Sequence, residues 1–161
     1  MKHIKTYNTI STLINNVMPS RTFNEWLNDY SLDINTYEID CTNSYLTDLN
    51  GIEKFTKIEN LFCSNNKLTS LPDLSNLTNI KFLFCSNNKL TSLPDLSNLI
   101  NLQDLYCYDN KLTSLPDLSN LTNFNYLNCP ENNLPYTDLE GYLEWHKKTY
   151  PWIWDSNKYN L

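Results

Sequence analysis

The chain has 161 residues, which is enough for one domain with a sizeable core. It carries 12 Lys and Arg against 18 Asp and Glu, a formal net charge of -6. This balance argues against a nucleic-acid partner, because phosphates attract a basic face. No stretch approaches the roughly 20 apolar residues of a membrane span, and the N-terminus lacks the apolar core of a signal peptide. We therefore expect a cytoplasmic protein that is neither secreted nor bound to a membrane.

Residues 1–35 are predicted to form a helical cap. The first helix has apolar residues at the i, i+3, i+4 and i+7 spacing of an amphipathic helix: Ile10, Leu13, Ile14 and Val17. The string TFNE at residues 22–25 has the pattern of a capping box. It opens a second apolar stripe, made of Phe23, Trp26, Leu27 and Tyr30. Two short helices are thus expected to cover the first of the units that follow.

Five cysteines recur at a fixed interval of 22 residues: Cys41, Cys63, Cys85, Cys107 and Cys129. Zinc sites and disulfide frameworks cluster their cysteines in pairs such as C-x-x-C, whereas one long fixed interval is typical of a solenoid. Each thiol is therefore expected to be a small buried apolar group, since reactive thiols need an exposed electropositive environment. We predict no metal site, no cofactor and no catalytic residue.

A unit of the repeat reads IENLFCSNNKLTSLPDLSNLTN and begins at Ile58. Two close copies begin at Ile80 and Leu102, and looser units around Cys41 and Cys129 flank them. Inward and outward residues alternate around each cysteine, which is the period of a β-strand. Stacking equivalent strands predicts a parallel sheet with one strand per unit.

Asparagines recur three residues after four of the cysteines: Asn66, Asn88, Asn110 and Asn132. Their amides are expected to bond backbone groups of the turn and of the adjacent unit. Prolines 72, 94 and 116 then end the turn, and the string DLSNL suits a short 3₁₀ or helical turn on the opposite side. The aspartates of that string are expected to act as N-caps: Asp73, Asp95 and Asp117.

Residues 137–161 are predicted to form a helical cap and aromatic tail that overlap the last repeat. The string TDLE at residues 137–140 has the pattern of a capping box, and the helix should end before Pro151. One helix face is predicted to carry Leu139, Tyr142, Leu143 and His146. The tail is expected to fold back onto the last unit through Trp152, Trp154 and Tyr159.

The pattern L-x-x-L-x-L-x-x-N-x-L-x-x-L-x-x-L-x-x-L over residues 36–145 resembles the leucine-rich repeat family, nearest its subclass with 22-residue units. The resemblance implies an α/β solenoid with a parallel concave β-sheet, short 3₁₀ or helical convex turns, and helical caps at both ends. It also implies a non-enzymatic module that binds a protein partner through the concave face. The near-verbatim, Asn-rich repeats are similar to leucine-rich repeat proteins of giant amoeba-infecting viruses, which would place the chain in a host cytoplasm as an adaptor.

The outward strand positions are predicted to form rows across the concave face. One row reads Glu38, Asn60, Phe82, Asp104 and Tyr126. The next reads Asp40, Phe62, Phe84, Tyr106 and Asn128, and the third reads Thr42, Ser64, Ser86, Tyr108 and Pro130. The aromatic residues of these rows form the predicted aromatic patch: Phe62, Phe82, Phe84, Tyr106, Tyr108 and Tyr126. Exposed aromatic patches are typical of interfaces, and Asp104 and Asp109 add negative charge that favours a basic partner surface.

Two alternatives to this interpretation stay open. The aromatic residues can instead serve β-propensity and cross-strand packing on a wet face. The patch can also pair with its own copy, which would make the protein a self-associating scaffold. An enzyme is disfavoured, because the chain shows no nucleophile–base pair and has only 2 glycines, too few for a phosphate-binding loop.

Overall fold

The computed structural model describes residues 19–151. In chain order its elements are helix α1 (Phe23–Leu27), strand β1 (Glu38–Asp40), a 3₁₀ helix (Ile52–Lys54), strands β2 (Asn60–Phe62), β3 (Phe82–Phe84), β4 (Asp104–Tyr106) and β5 (Tyr126–Asn128), and helix α2 (Leu139–Thr149). The helix predicted over residues 10–17 and the predicted packing of Trp152, Trp154 and Tyr159 lie outside the described residues.

The five strands form one parallel sheet in chain order. Equivalent residues of successive units are register partners, so that Leu61 pairs with Leu83 and Leu83 pairs with Leu105. A 22-residue unit therefore makes one turn of the solenoid and returns the chain beside its previous strand. The predicted parallel solenoid is confirmed, and the first two predicted rows match the observed register.

The core lies between this sheet and the turns on the convex side. In the unit that begins at Ile58, the buried apolar residues are Ile58, Leu61, Cys63, Leu68, Leu71, Leu74 and Leu77. Full burial of one such leucine or isoleucine contributes about 1.5–3 kcal/mol. The corresponding residues of the last unit pack less completely, and Phe124 and Leu134 are only partly buried. The last unit has no further repeat stacked on it, which explains the difference.

The predicted short turns of the convex side are present in the three closely similar units as single hydrogen-bonded turns of the 3₁₀ type. Within residues 19–151, the 3₁₀ helix Ile52–Lys54 in the first unit is the one regular helix on this side. The other units make a tight turn, for example with Leu77 N–H donating to the Leu74 carbonyl at 2.8 Å. The Asp73 carboxylate accepts a bond from Ser75 N–H at 2.8 Å, and Asp95 and Asp117 bond in the same way. Each aspartate thus makes the predicted capping contact, in the form of an Asx-turn at the start of a single turn that does not continue into a regular helix.

Helix α1 has the predicted capping box. Glu25 N–H donates to the Thr22 hydroxyl at 3.2 Å, and Thr22 N–H donates to the Glu25 carboxylate at 2.7 Å. Phe23 and Trp26 are buried against the first unit, whereas Tyr30 is 49% exposed and stacks on Trp26. Tyr30 leaves the predicted apolar face because the helix ends at Leu27, before the turn that would carry it.

Helix α2 begins one residue later than the capping-box pattern predicts. Its N-cap is Asp138, whose carboxylate accepts a bond from Gly141 N–H at 2.9 Å, so the predicted capping box of residues 137–140 is wrong. The helix ends at Thr149, before Pro151, as predicted. Tyr142 and His146 are buried, and the Tyr142 hydroxyl accepts a bond from Leu118 N–H at 3.2 Å. No helix within residues 19–151 is long and apolar enough to cross a membrane.

Candidate interaction face

The concave face carries a continuous series of four aromatic rings, which we call the aromatic ladder: Phe62, Phe84, Tyr106 and Tyr126. Ring centroids lie 4.9 Å apart between Phe62 and Phe84 and 4.2 Å apart between Phe84 and Tyr106. Tyr106 contacts Tyr126 at 5.1 Å, which crosses from one row to the other. Such contacts stabilise aromatic pairs by about 0.5–1.5 kcal/mol beyond the area that they bury.

The two other members of the predicted aromatic patch lie apart from the ladder. Phe82 belongs to the first row, where its register partners are Asn60 and Asp104. Tyr108 lies beyond the end of β4, and its carbonyl accepts a bond from Asn87 N–H at 2.9 Å. Among the residues that the structure describes, neither ring stacks on another ring. The predicted patch is therefore a ladder of four rings with two rings beside it.

The rings of the ladder contact one another and are partly exposed to solvent. Phe62, Phe84 and Tyr106 are half-buried, and Tyr126 at the end of the series is 45% exposed. Burial, the neighbouring Tyr126 and the Asp104 carboxylate together raise the pKa of the Tyr106 hydroxyl above its ordinary value. The rings thus supply both cross-strand packing and apolar surface that faces solvent.

The two predicted acidic residues occupy different places. Asp104 is half-buried in the first row, between the register partners Phe82 and Tyr126. Asp109 is exposed in the turn after β4 and has a φ of 51°, in the left-handed region. The equivalent residues of the other units also have positive φ: Asn43, Asn65, Asn87 and Glu131. A turn that needs this backbone favours Asn and Asp, so local geometry accounts for Asp109 without a partner.

The predicted row of asparagines lies beneath these turns. The Asn88 amide nitrogen donates to the carbonyls of Cys63 and Cys85, both at 3.0 Å, while its carbonyl accepts from Leu68 N–H at 3.1 Å. The same contacts recur, one unit apart, at Asn66, Asn110 and Asn132. Each of these side chains therefore joins the backbone of its own unit to that of the unit before.

A second asparagine row was not predicted from the sequence. The side-chain nitrogens of Asn79, Asn101 and Asn123 donate, at 2.9 Å each, to the carbonyls of Thr56, Thr78 and Ile100 of the preceding unit. These residues also recur every 22 positions, so the signal was present in the repeat. Their polarity and exposed surroundings give no sign that they bridge units, because the bridge depends on where the neighbouring turn lies.

All five cysteines are buried and none forms a disulfide within the described residues. The Cys41 and Cys63 thiols donate to the carbonyls of Phe62 and Phe84, at 3.4 and 3.3 Å. Burial raises the pKa of the Cys85 thiol to about 12, which disfavours the thiolate that nucleophilic or metal-binding chemistry requires. Residues 19–151 contain no group of three or more His, Cys, Asp and Glu side chains placed to hold a metal ion.

Comparison with known proteins identifies the fold of this architecture. Residues 56–98 match the family model of leucine-rich repeats, in two copies. The chain has the leucine-rich repeat fold. No curated protein sequence matches it.

Solved leucine-rich repeat structures resemble it over most of its length. The functional domain of InlJ from Listeria monocytogenes, which includes a cysteine ladder, is 44% identical over 65% of this chain and 23% of its own, with a TM-score of 0.59. YopM from Yersinia enterocolitica is 30% identical over 81% of this chain and 29% of its own, with a TM-score of 0.62. The Leptospira interrogans protein LIC12759 is 32% identical over 66% of this chain and 27% of its own, with a TM-score of 0.56. The chain therefore spans less than a third of each.

The leucine-rich repeats differ from one another mainly on the concave face. The string LTSLPDLSNL of the turns is identical in the three close units, whereas the strands read NLF, FLF and DLY. The face therefore presents different side chains at most strand positions, on a backbone that repeats with the same register in each unit. Such a surface can distinguish partners by shape and charge, and it has no arrangement suited to covalent chemistry among the described residues.

Proposed function

We propose that the protein is a non-enzymatic binding module that recognises a protein partner through its concave face. The aromatic ladder carries the proposal, because it keeps large apolar rings on the solvent side of four adjacent strands. Aromatic side chains dominate the binding energy of many interfaces when a partner covers them. Leucine-rich repeats commonly serve as interaction modules, which supports the same conclusion.

The acidic residues of the face favour a partner with a basic surface. Glu38, Asp40 and Asp104 lie in the same two rows as the ladder. Self-association through this face is less favourable, since two copies would bring these carboxylates together and like charges repel across an interface. Five free thiols suit a cytoplasmic location, and a viral adaptor acting in a host cytoplasm is the form of this proposal that the Asn-rich repeats suggest.

The experiment compares the parent with a variant that lacks two rings of the ladder and one ring beside it, Phe84→Ala, Tyr106→Ala and Tyr108→Ala combined. A partner is first captured with the parent from an extract of the natural cell and then titrated with each protein. One hot-spot aromatic residue typically contributes roughly 2 kcal/mol, about thirtyfold in affinity, so the triple variant should show no measurable binding.

A second triple variant provides the control, with the exposed Thr69, Thr91 and Thr113 changed to Ala. These residues lie outside the sheet, and the control should bind as the parent does. Melting curves must show that both variants are folded. A folded aromatic variant that keeps the parent's affinity would exclude the concave face as the binding site.

A further inference from the structure

We infer that the partner presents an arginine side chain to Asp104, with its guanidinium paired to the carboxylate and stacked against the rings beside it. This inference rests on the proposed function and names the chemistry of the group that the face recognises. Four observations support it. Aromatic residues flank Asp104, its carboxylate has no hydrogen bond or ion pair among the described residues, Lys81 is paired with Glu59, and the chain has a single arginine.

Asp104 has aromatic residues at three neighbouring positions of the sheet. Its register partners in the first row are Phe82 and Tyr126. Residues opposite each other on neighbouring strands lie about 4.8 Å apart, so Phe82 and Tyr126 flank Asp104 on the same face of the sheet. Tyr106 follows two residues later on β4 and therefore faces the same side of the sheet. A cation held at this carboxylate would also meet the faces of aromatic rings, which attract it.

The Asp104 carboxylate differs from the other strand carboxylates of the face. Glu38 accepts a bond from the Asn60 amide at 3.1 Å, and Asp40 accepts one from Thr42 N–H at 3.0 Å. Among residues 19–151, the Asp104 carboxylate makes no ion pair and accepts no hydrogen bond. It is also half-buried. A carboxylate that has no partner among these residues is available to pair with a cation that another molecule supplies.

The lysine that precedes the neighbouring strand β3 is already paired. Lys81 immediately precedes β3, and its ammonium lies 2.7 Å from the Glu59 carboxylate. The equivalent residue before β4 is the neutral Gln103. The repeats therefore bring a carboxylate to the centre of the face without bringing a lysine to neutralise it.

Arginine fits the place better than lysine does. A planar guanidinium can pair with both oxygens of a carboxylate while its flat face stacks on a ring, whereas an ammonium is a strongly hydrated point charge. The chain has a single arginine, Arg21, and its guanidinium is held 2.7 Å from the Asp29 carboxylate. A second copy of this chain thus has no spare arginine to offer, and the occupant is a different protein.

The test uses a peptide of alternating glycine and arginine as the probe, with matched lysine and citrulline peptides. Citrulline has nearly the shape of arginine but carries no charge. The peptides are titrated by nuclear magnetic resonance at about 0.15 M salt, which screens distant charges. Because Asp104→Asn removes one charge-assisted hydrogen-bonded pair, it should weaken the affinity for the arginine peptide about tenfold or more.

The matched control is Asp95→Asn, on the convex side. It changes the net charge by the same amount, and the new side chain can still accept the bond from Ser97 N–H. It should leave the affinity for the arginine peptide unchanged, the lysine peptide should bind more weakly, and the citrulline peptide should not bind. Tyr126→Leu should also weaken the arginine peptide while the resonances of the other strands stay in place.

Two results would overturn the inference. Equal weakening by Asp104→Asn and Asp95→Asn would show that only overall charge attracts the peptide. Equal affinity for the arginine and lysine peptides would show that no guanidinium is recognised. The captured partner separates this inference from the proposed function: if the aromatic triple variant loses the partner and Asp104→Asn keeps it at full affinity, the concave face is the site and the arginine is not its ligand.

Discussion

The cysteine and asparagine of each unit work together at the end of the strand. The Asn88 amide donates to the carbonyls of Cys63 and Cys85. Each of the three central cysteine carbonyls, at Cys63, Cys85 and Cys107, accepts such bonds from asparagines of two units. The space inside this turn is small, and a thiol fills it without needing a strong hydrogen-bond partner. The same burial that suits a thiol excludes a thiolate, and this gives stability a dependence on pH.

We predict that stability falls as the pH rises from about 9 to 12. The pKa of the Cys85 thiol is raised from 9.0 to about 12 by burial, so the folded state keeps a proton that the unfolded chain loses in this window. The unfolded state then binds fewer protons, and the free energy of unfolding decreases by about 1.4 kcal/mol per pH unit for each such cysteine. Below the unfolded pKa this cysteine has no effect on the slope.

The measurement is urea unfolding across this pH range for the parent and for Cys85→Ala. The variant should be less stable at neutral pH, but its stability should fall less steeply, by about 1.4 kcal/mol per pH unit. Ile80→Val, a mild core change without a titratable group, should keep the slope of the parent. Parallel curves for the parent and Cys85→Ala would contradict a buried protonated thiol.

The two helices cover opposite ends of the solenoid by different means. Helix α1 has five residues and is held by its capping box and by Phe23 and Trp26. Helix α2 has eleven residues and reaches the convex side, where the Tyr142 hydroxyl accepts the Leu118 N–H. An isolated bridge between Asn128 and Asp138 also leads the chain from the edge strand into this helix. Asp138 therefore serves both the end of the sheet and the start of the helix.

We expect Asp138→Ala to lower the free energy of unfolding by about 0.5–2 kcal/mol, because it removes the acceptor for Gly141 N–H. Thr137→Ala should change it by less than about 0.5 kcal/mol, since Thr137 is exposed and does not cap the helix. Urea unfolding of both variants measures the difference. A larger loss of stability for Thr137→Ala than for Asp138→Ala would instead support Thr137 as the N-cap, as the sequence pattern indicates.

In the solenoid as a whole, each strand pairs only with its immediate neighbours. The cysteine amides report on this arrangement, because each donates to a carbonyl of the next turn of chain at nearly the same distance. Cys85 N–H donates to Tyr106 at 2.8 Å, and Cys129 N–H donates to Thr137 at 2.9 Å. The five amides thus have equivalent hydrogen bonds and differ in how many stacked units enclose them. In a solenoid, stability is close to a sum of unit and interface contributions, so the centre should open least often.

Native-state hydrogen exchange should therefore be slowest at the Cys85 amide and faster towards both ends. We expect the Cys129 amide to exchange at least about tenfold faster than the Cys85 amide. This ratio corresponds to an opening free energy that is lower by about 1.4 kcal/mol or more at Cys129. Nuclear magnetic resonance resolves the five amides in one experiment. Equal exchange at all five would mean that the solenoid opens only by unfolding as one unit.

The solenoid and its buried positions follow from the amino-acid sequence alone. Leucines, cysteines and asparagines recur at one 22-residue interval. This interval indicates a solenoid, because stacked units bury the equivalent apolar positions of all five repeats in one continuous core. The same interval is enough to place Phe62, Phe84 and Tyr106 in one row. It also predicts that Asn88 bonds backbone groups, since an inward amide in an apolar core needs such partners.

The ring contacts, the form of the convex turns and the N-cap of α2 depend instead on the tertiary fold. Nothing in the repeat distinguishes a convex turn closed by Asp73 from a helix capped by it, because both use the same carboxylate and neighbouring N–H groups. Three features depend on distances between units. These are the N-cap of α2 at Asp138, the contact between the Tyr106 and Tyr126 rings, and the absence, within the described residues, of a hydrogen bond or ion pair at the Asp104 carboxylate. A local pattern fixes which residues point inward, but contacts between units depend on how closely the turns stack, and that distance is set by the packed core.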